Sequence, residues 1–186
     1  VYISDSYKIS DKLLIDFGIR YSFYASLGEA DINTYESGKP LSDATVTGTE
    51  HYDNNEITKS YGGVEPRIAA RYFFNEDFSI KASYDKTRQY IHLLSSNVTQ
   101  SPTDTWKLSD PNVAPQSADQ ISLGLFKNLK NNQYEISLEG YYKKSQNILD
   151  YKVGSQLLLN PNVETELLQG EGKAYGIELL LKKTEA

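Results

Sequence analysis

Leu13-Leu-Ile-Asp-Phe-Gly-Ile-Arg-Tyr-Ser-Phe-Tyr24 carries an apolar or aromatic residue at every odd position: Leu13, Ile15, Phe17, Ile19, Tyr21 and Phe23. Between them stand Leu14, Asp16, Gly18, Arg20 and Ser22, mostly polar or small. A period of two marks an extended strand whose two faces meet different surroundings, whereas a helix repeats at about 3.6. The same pattern recurs on both sides of this stretch. Residues 62–73 set Val64, Pro66, Ile68, Ala70 and Tyr72 against Glu65, Arg67, Ala69 and Arg71, and residues 78–88 set Phe78, Ile80, Ala82 and Tyr84 against Ser79, Lys81, Ser83 and Asp85. Residues 118–126, 133–143 and 172–182 repeat it, the last with Tyr175, Ile177, Leu179 and Leu181 against Gly176, Glu178 and Lys182. With residues 1–9 the alternation predicts seven strands and an all-β, antiparallel up-and-down meander.

The connections alternate in length. Ser10-Asp11-Lys12, residues 74–77 and residues 127–132 are hairpin-sized and rich in Asn and Asp, the residues that close tight turns. Residues 25–61, 89–117 and 144–171 are long. In a meander the alternate connections fall at opposite ends, so every short turn shares one end and every long loop the other. Loops of this length count against a compact soluble domain. A transmembrane barrel calls for them, with short periplasmic turns and long extracellular loops.

Composition narrows the choice. Among 186 residues, 19 Lys and Arg stand against 25 Asp and Glu, a net charge of -6, which excludes a basic face for nucleic acid. There is no cysteine, so disulfide frameworks and thiolate zinc sites are excluded. Mean hydropathy is negative and no stretch is long and apolar enough for a spanning helix. Yet 15 Tyr, 6 Phe and 1 Trp make an aromatic-rich chain. The rings gather at strand ends: Phe78, Tyr134, Tyr72, Phe73 and Phe74 at the short-turn end, and Tyr21, Phe23, Tyr24, Tyr84, Tyr90 and Tyr142 at the other. Barrels in outer membranes carry aromatic girdles at both interfaces. The competing reading is a soluble β-sandwich that binds or adheres through its long loops, since a sheet wet on one face also alternates. One residue misfits a lipid-facing side. Asp5 falls on the apolar face of the first strand, which calls for a bulge or a shifted register there.

A family resemblance rests on several stretches in order. Tyr61-Gly-Gly-Val-Glu65-Pro66-Arg67-Ile68, followed by Arg71-Tyr72, resembles the "EPR" strand of TonB-dependent outer-membrane receptors of the Bacteroidetes kind. Lys81-Ala-Ser-Tyr84-Asp85-Lys86, Tyr90-Ile-His92-Leu-Leu, Pro102-Thr-Asp104-Thr-Trp106 and Pro115-Gln-Ser-Ala-Asp119-Gln120 are similar to the family as well. So are Glu139-Gly-Tyr-Tyr-Lys143 and Gly172-Lys-Ala-Tyr175-Gly-Ile-Glu178-Leu, while residues 25–60 match no stretch of the family. The resemblance implies part of a 22-stranded barrel in the Gram-negative outer membrane, filled by a plug domain that this sequence lacks. The parent protein would import a scarce nutrient (an iron chelate, cobalamin, a glycan or a peptide) with energy from TonB. A chain that begins at Val1, contains no Met and ends just after a strand is expected to be a fragment of that barrel, and an open fragment of this kind is expected to self-associate.

No catalytic constellation is present: no Gly-x-Ser-x-Gly elbow, no phosphate-binding Gly loop, no His-Glu-x-x-His. Neither an enzyme nor a cofactor is expected. His51 and His92 are too few and too far apart in sequence to announce a metal site, and none is expected. Arg20, Arg67, Arg71, Lys81, Asp85, Glu135, Glu139 and Glu178 occupy the polar face and are expected to look into the lumen. Trp106, Tyr90, His92 and Tyr151, in or beside the long loops, are the ligand candidates, since exposed rings offer stacking faces.

Overall fold

Period-two segments joined by two- or three-residue turns pair with their sequence neighbours, because such a turn leaves the chain nowhere else to go. The computed structural model, which describes residues 1–94, 105–130, 133–157 and 159–183, shows this arrangement. Its strands are β1 (Tyr2–Ser10), β2 (Leu13–Leu27), β3 (Ala30–Tyr35), β4 (Val46–Tyr52), β5 (Ile57–Asn75), β6 (Phe78–Gln89), β7 (Ile91–Leu94), β8 (Thr105–Leu108), β9 (Gln116–Leu129), β10 (Tyr134–Tyr151) and β11 (Leu167–Lys183). Seven of them form one antiparallel sheet in the order β1-β2-β5-β6-β9-β10-β11, and β3-β4 and β7-β8 are separate hairpins. The described residues contain no α-helix. The motif residues Pro102 and Asp104 lie outside the described residues.

The strands run further than the alternation indicated. β2 continues to Leu27, β5 starts at Ile57, β9 covers 116–129, β10 reaches Tyr151 and β11 starts at Leu167. Most of the added residues lie past the apolar band, where apolar and polar residues no longer alternate: Ala25 pairs with Ser60 and Ser26 with Lys59. The long connections are therefore shorter than expected. The connection from β2 to β5 holds the β3-β4 hairpin, and the one from β6 to β9 holds β7-β8. The connection from β10 to β11 ends in a 3-10 turn, Val163–Glu166.

Register puts every apolar set on one face. One row runs Leu13, Tyr72, Ile80, Leu125, Leu138, Leu179 across six strands, and the next runs Tyr7, Ile15, Ala70, Ala82, Leu123, Gly140, Ile177 across seven. A one-residue slip at any pair would turn half of this face over, so the continuity specifies the register. Asp5 is a true exception. It pairs opposite Phe17 in an unbroken register from Tyr2 to Lys8, and the irregularity of that strand comes only after Lys8. Its carboxylate is met by the Ser6 backbone N–H at 2.8 Å.

Nothing among the described residues covers the apolar face. On β11, Tyr175, Ile177, Leu179 and Leu181 are 78%, 80%, 73% and 70% exposed. The chain's buried apolar core lies elsewhere, beyond the long-loop end of the sheet: Leu94, Val113, Val163 and Leu167, with Leu149, Tyr151 and Leu157 packed against them.

Pro66 shapes the boundary between sheet and loops. It pairs with Ile19 of β2, but the ladder from β5 to β6 stops one residue before it, at Arg67 opposite Asp85. Proline has no N–H to give a second neighbour, so the two strands part there. Arg88 spans the gap, its Nη1 donating to the Val64 carbonyl at 2.9 Å. A side chain on Gly63 would collide with that guanidinium, its Cβ 2.5 Å from Arg88 Nη1.

Candidate functional site

The eight charged residues Arg20, Arg67, Arg71, Lys81, Asp85, Glu135, Glu139 and Glu178 share the face opposite the apolar rows. Their signs are sorted. Arg71, Lys81, Gly124, Glu139 and Glu178 form one row across β5, β6, β9, β10 and β11, two cations at one end and two carboxylates at the other. Like charges opposite one another are unfavourable unless each finds another partner. Arg71 finds three: its guanidinium lies 5.0 Å from the ring centres of both Phe73 and Phe126, and its Nε donates to Ser79 Oγ at 3.0 Å. Two rings beside it and one hydroxyl hold the cation against the like charge of Lys81.

Toward the loops the face closes on a buried carboxylate. Glu65, 1% exposed, accepts from Arg20 and from the Ser22 hydroxyl. Ser22 is also 2.6 Å from the Tyr90 hydroxyl, and Tyr90 stacks on Tyr24 at 5.3 Å with the rings 9° apart. Tyr24 then donates to the Ser109 carbonyl at 2.9 Å, and Tyr61 to the Asp110 carbonyl at 2.7 Å. An ionised side chain removed from water needs this kind of full satisfaction. The result is a polar column linking β2 and β5 to the segment after β8.

The three long connections are laced to one another above that column. Asn112 Nδ2 donates to the Asn33 carbonyl at 2.9 Å, and Asn33 Nδ2 to Asn162 Oδ1 at 3.1 Å. Lys152 Nζ donates to the Leu41 carbonyl at 2.8 Å. Tyr35 donates to Glu164 Oε1 at 2.9 Å, and burial together with that carboxylate pushes its phenol up to about 12. Residues far apart in sequence thus form one polar clasp over the Leu94–Val113–Val163–Leu167 core.

The ligand candidates separate by position. Tyr90 belongs to the Glu65 column. His92 is 1% exposed, with Nε2 3.1 Å from Ser109 Oγ and Nδ1 without a partner among the described residues. Burial holds its ring below the ordinary histidine range. Tyr151 packs on the loop core. Trp106 alone presents its ring to solvent, 59% exposed, in line with the exposed Ile91 and Leu108 on the outer side of β7-β8. Sequence reasoning missed Glu65, Ser22 and Ser109 as partners in one network. Glu65 is the one its pattern could have found, since its place on the polar face puts it opposite Arg20 as soon as β2 pairs with β5.

A seven-stranded meander with one apolar face, one charged face and all its long connections at one end has a match among known families. The sequence matches the TonB dependent receptor-like, beta-barrel family over residues 1–184. The chain belongs to that family. No curated protein matches it. Its single antiparallel sheet is consistent with part of a TonB-dependent receptor barrel, and the family comprises outer-membrane transport receptors of Gram-negative bacteria rather than enzymes. Sheet and family agree in kind: a receptor barrel has strands alternating between an apolar exterior and a polar interior, which is the pattern of these rows.

Proposed function

We propose that this chain forms a sector of the barrel wall of a TonB-dependent receptor that imports a nutrient across the outer membrane. On this reading the apolar rows meet lipid, and the row from Arg71 to Glu178 lines the lumen and faces the plug domain of the parent protein. The clasped loops stand outside the cell, with Trp106 as the best-placed ring for a ligand. Its ligand class is an iron chelate, cobalamin, a glycan or a peptide, and TonB acts through the plug. The Bacteroidetes type is the finer assignment, resting on the Glu65-Pro66-Arg67 strand and the stretches around it.

One observation carries the proposal: an apolar face in register across seven strands with no layer packed over it among the described residues. Its height fits. On β11 the outward positions from Lys173 to Lys183 are Tyr175, Ile177, Leu179 and Leu181. Ten residue steps cover roughly 33 Å along the strand, and about 25 Å across the membrane at the usual tilt, the height of an outer-membrane apolar band. A soluble β-sandwich would need a second sheet over these residues.

The test is depth-dependent quenching of the parent receptor, which contains this chain, in phosphatidylcholine vesicles. With a fluorophore on a cysteine at position 177, lipids brominated in their tails should quench strongly; with it at position 67 they should not. Equal quenching at both positions, or none at either, would refute the assignment of faces.

A further inference from the structure

The apolar face is not uniform. Over β6, β9, β10 and β11 it holds an open groove of 1050 Å³, bordered by Ala82, Leu123, Leu138, Tyr142, Tyr175 and Ile177. The groove exists because two small residues sit in its floor. Ala82 pairs with Leu123 and Leu123 with Gly140, and a Cβ on Gly140 would meet nothing closer than the Gly176 carbonyl at 3.8 Å. A glycine inside a strand weakens it and leaves a gap that another molecule can fill.

Directly toward the loops, on the same face, the apolar band gives way to one row of charges: Lys86, Asp119, Lys144 and Lys173 on β6, β9, β10 and β11. Asp119 is taken up by Lys86 at 3.2 Å and by the Tyr84 hydroxyl at 2.7 Å. Lys144 and Lys173 are directly opposite each other, an unfavourable pairing in a sheet. Lys144 leans away to Glu171 at 3.3 Å, and Lys173 has no ion pair among the described residues. The cross-strand pair Tyr142 and Tyr175 lies between these lysines and the groove.

Resting on the lipid-facing assignment above, the geometry points to a binding site for one anionic, phosphate-bearing lipid of the outer leaflet. An acyl chain lies in the groove over Gly140, beside Leu123, and the phosphate group bridges Lys144 and Lys173. The phosphate gives Lys173 the counter-charge that the described residues do not, and adds to the one that Lys144 finds in Glu171. The chain fills the space that Gly140 leaves empty. The two tyrosines sit at the level where glycerol or sugar meets hydrocarbon, as amphipathic rings do at a membrane interface.

The experiment uses the parent receptor that contains this chain, in nanodiscs of phosphatidylcholine doped with fluorescent lipid A, the phosphorylated glycolipid, or with its dephosphorylated form. Binding is read as energy transfer from a dye on a cysteine at position 153, in the loop between β10 and β11. Phosphorylated lipid should enrich around the chain and dephosphorylated lipid should not. Lys173→Ala should lower the enrichment about fivefold, the effect of one lysine at a membrane surface. Gly140→Leu should abolish it with both lysines intact, and Lys86→Ala should leave it unchanged. Equal enrichment of both lipids, or unaltered enrichment in Lys173→Ala and Gly140→Leu, would overturn the site. Position 177 of each variant is checked by tail quenching in parallel. Tail quenching at position 177 without lipid selectivity rejects this site alone, and no quenching at position 177 in the inserted receptor rejects the barrel reading beneath it.

Discussion

The sheet and the loop cluster above it obey opposite rules. In the sheet, the large apolar side chains point outward and stay exposed, and the charged ones share the other face. In the loops, a few apolar residues are fully buried under polar connections, as in any small water-soluble domain. The sheet has its order from backbone pairing and register, and its apolar face needs an apolar medium. The cluster carries its own core and clasps. On the proposed function, one chain thus contains a part that meets lipid and a part that meets water, joined at the Glu65 column.

The sharpest way to break this contrast is to put a charge on the exposed apolar face. Ile177→Arg should cost about 2–4 kcal/mol of folding stability in bilayers, the effect of arginine near the midplane of a barrel, whereas Arg67→Ala on the opposite face should cost far less. Urea titration of vesicle-inserted protein measures both, and equal costs would dissolve the distinction between faces. In the cluster the expected effect has the form of a cavity. Leu94→Ala should cost about 3 kcal/mol, as buried large-to-small changes do. The loss should be confined to faster amide exchange at β7, Val113 and Leu167, with the central sheet still protected.

Smaller changes sharpen the picture through protons. His92 is kept neutral by burial, so its folded value lies below the ordinary one. As pH falls below about 6.5, the opened cluster takes up a proton that the closed one refuses, and closure weakens. Exchange of the Leu94 amide, corrected for its intrinsic rate, should therefore rise between pH 7 and pH 5, and His92→Gln should flatten that rise. Tyr35→Phe removes one clasp and should cost about 1 kcal/mol. Ultraviolet titration of the parent chain should find one phenol ionising near 12, absent from the variant. The smallest effect belongs to the exposed His51. The Asp31 carboxylate, 2.6 Å from its Nδ1, raises its pKa, with Asp53 adding a little. Whatever it contributes is present below the ordinary histidine value and fades as pH rises through the raised one. An NMR titration should place its midpoint above that of Asp31→Asn.

Much of the sheet was legible because each strand declares its faces locally. Leu13 to Phe23 alternate without help from the rest of the chain, and pairing neighbours in order then puts Arg20 opposite Glu65. The cluster was illegible for the converse reason. Leu94, Val113 and Leu167 lie in or beside long connections without a regular period, and are brought together across separations in sequence that no period records. His92 shows the same limit, since its environment is made by Ser109 and the loop core rather than by its neighbours. The strand extensions past Tyr24 and Lys143 left no trace either, because Ala25 to Leu27 and Lys144 to Tyr151 do not alternate in step with the strands they continue. Asp5 marks where a local pattern was truthful but unwelcome: the sequence placed it on the apolar face, and it is there.

Pro66 gives the upper edge of this wall a notch. Below it, β5 and β6 share a ladder; above it Arg88 joins β6 to β5, and the Tyr24–Tyr90 stack joins β2 to the residue after β6. The rim is therefore two lips rather than one hoop. The β2-β5 ribbon carries the β3-β4 hairpin, and the β9-β10-β11 ribbon carries the turn at Val163–Glu166. Force applied to one lip reaches the other through side chains, whose bonds re-form in place, and the backbone ladders on either side stay intact.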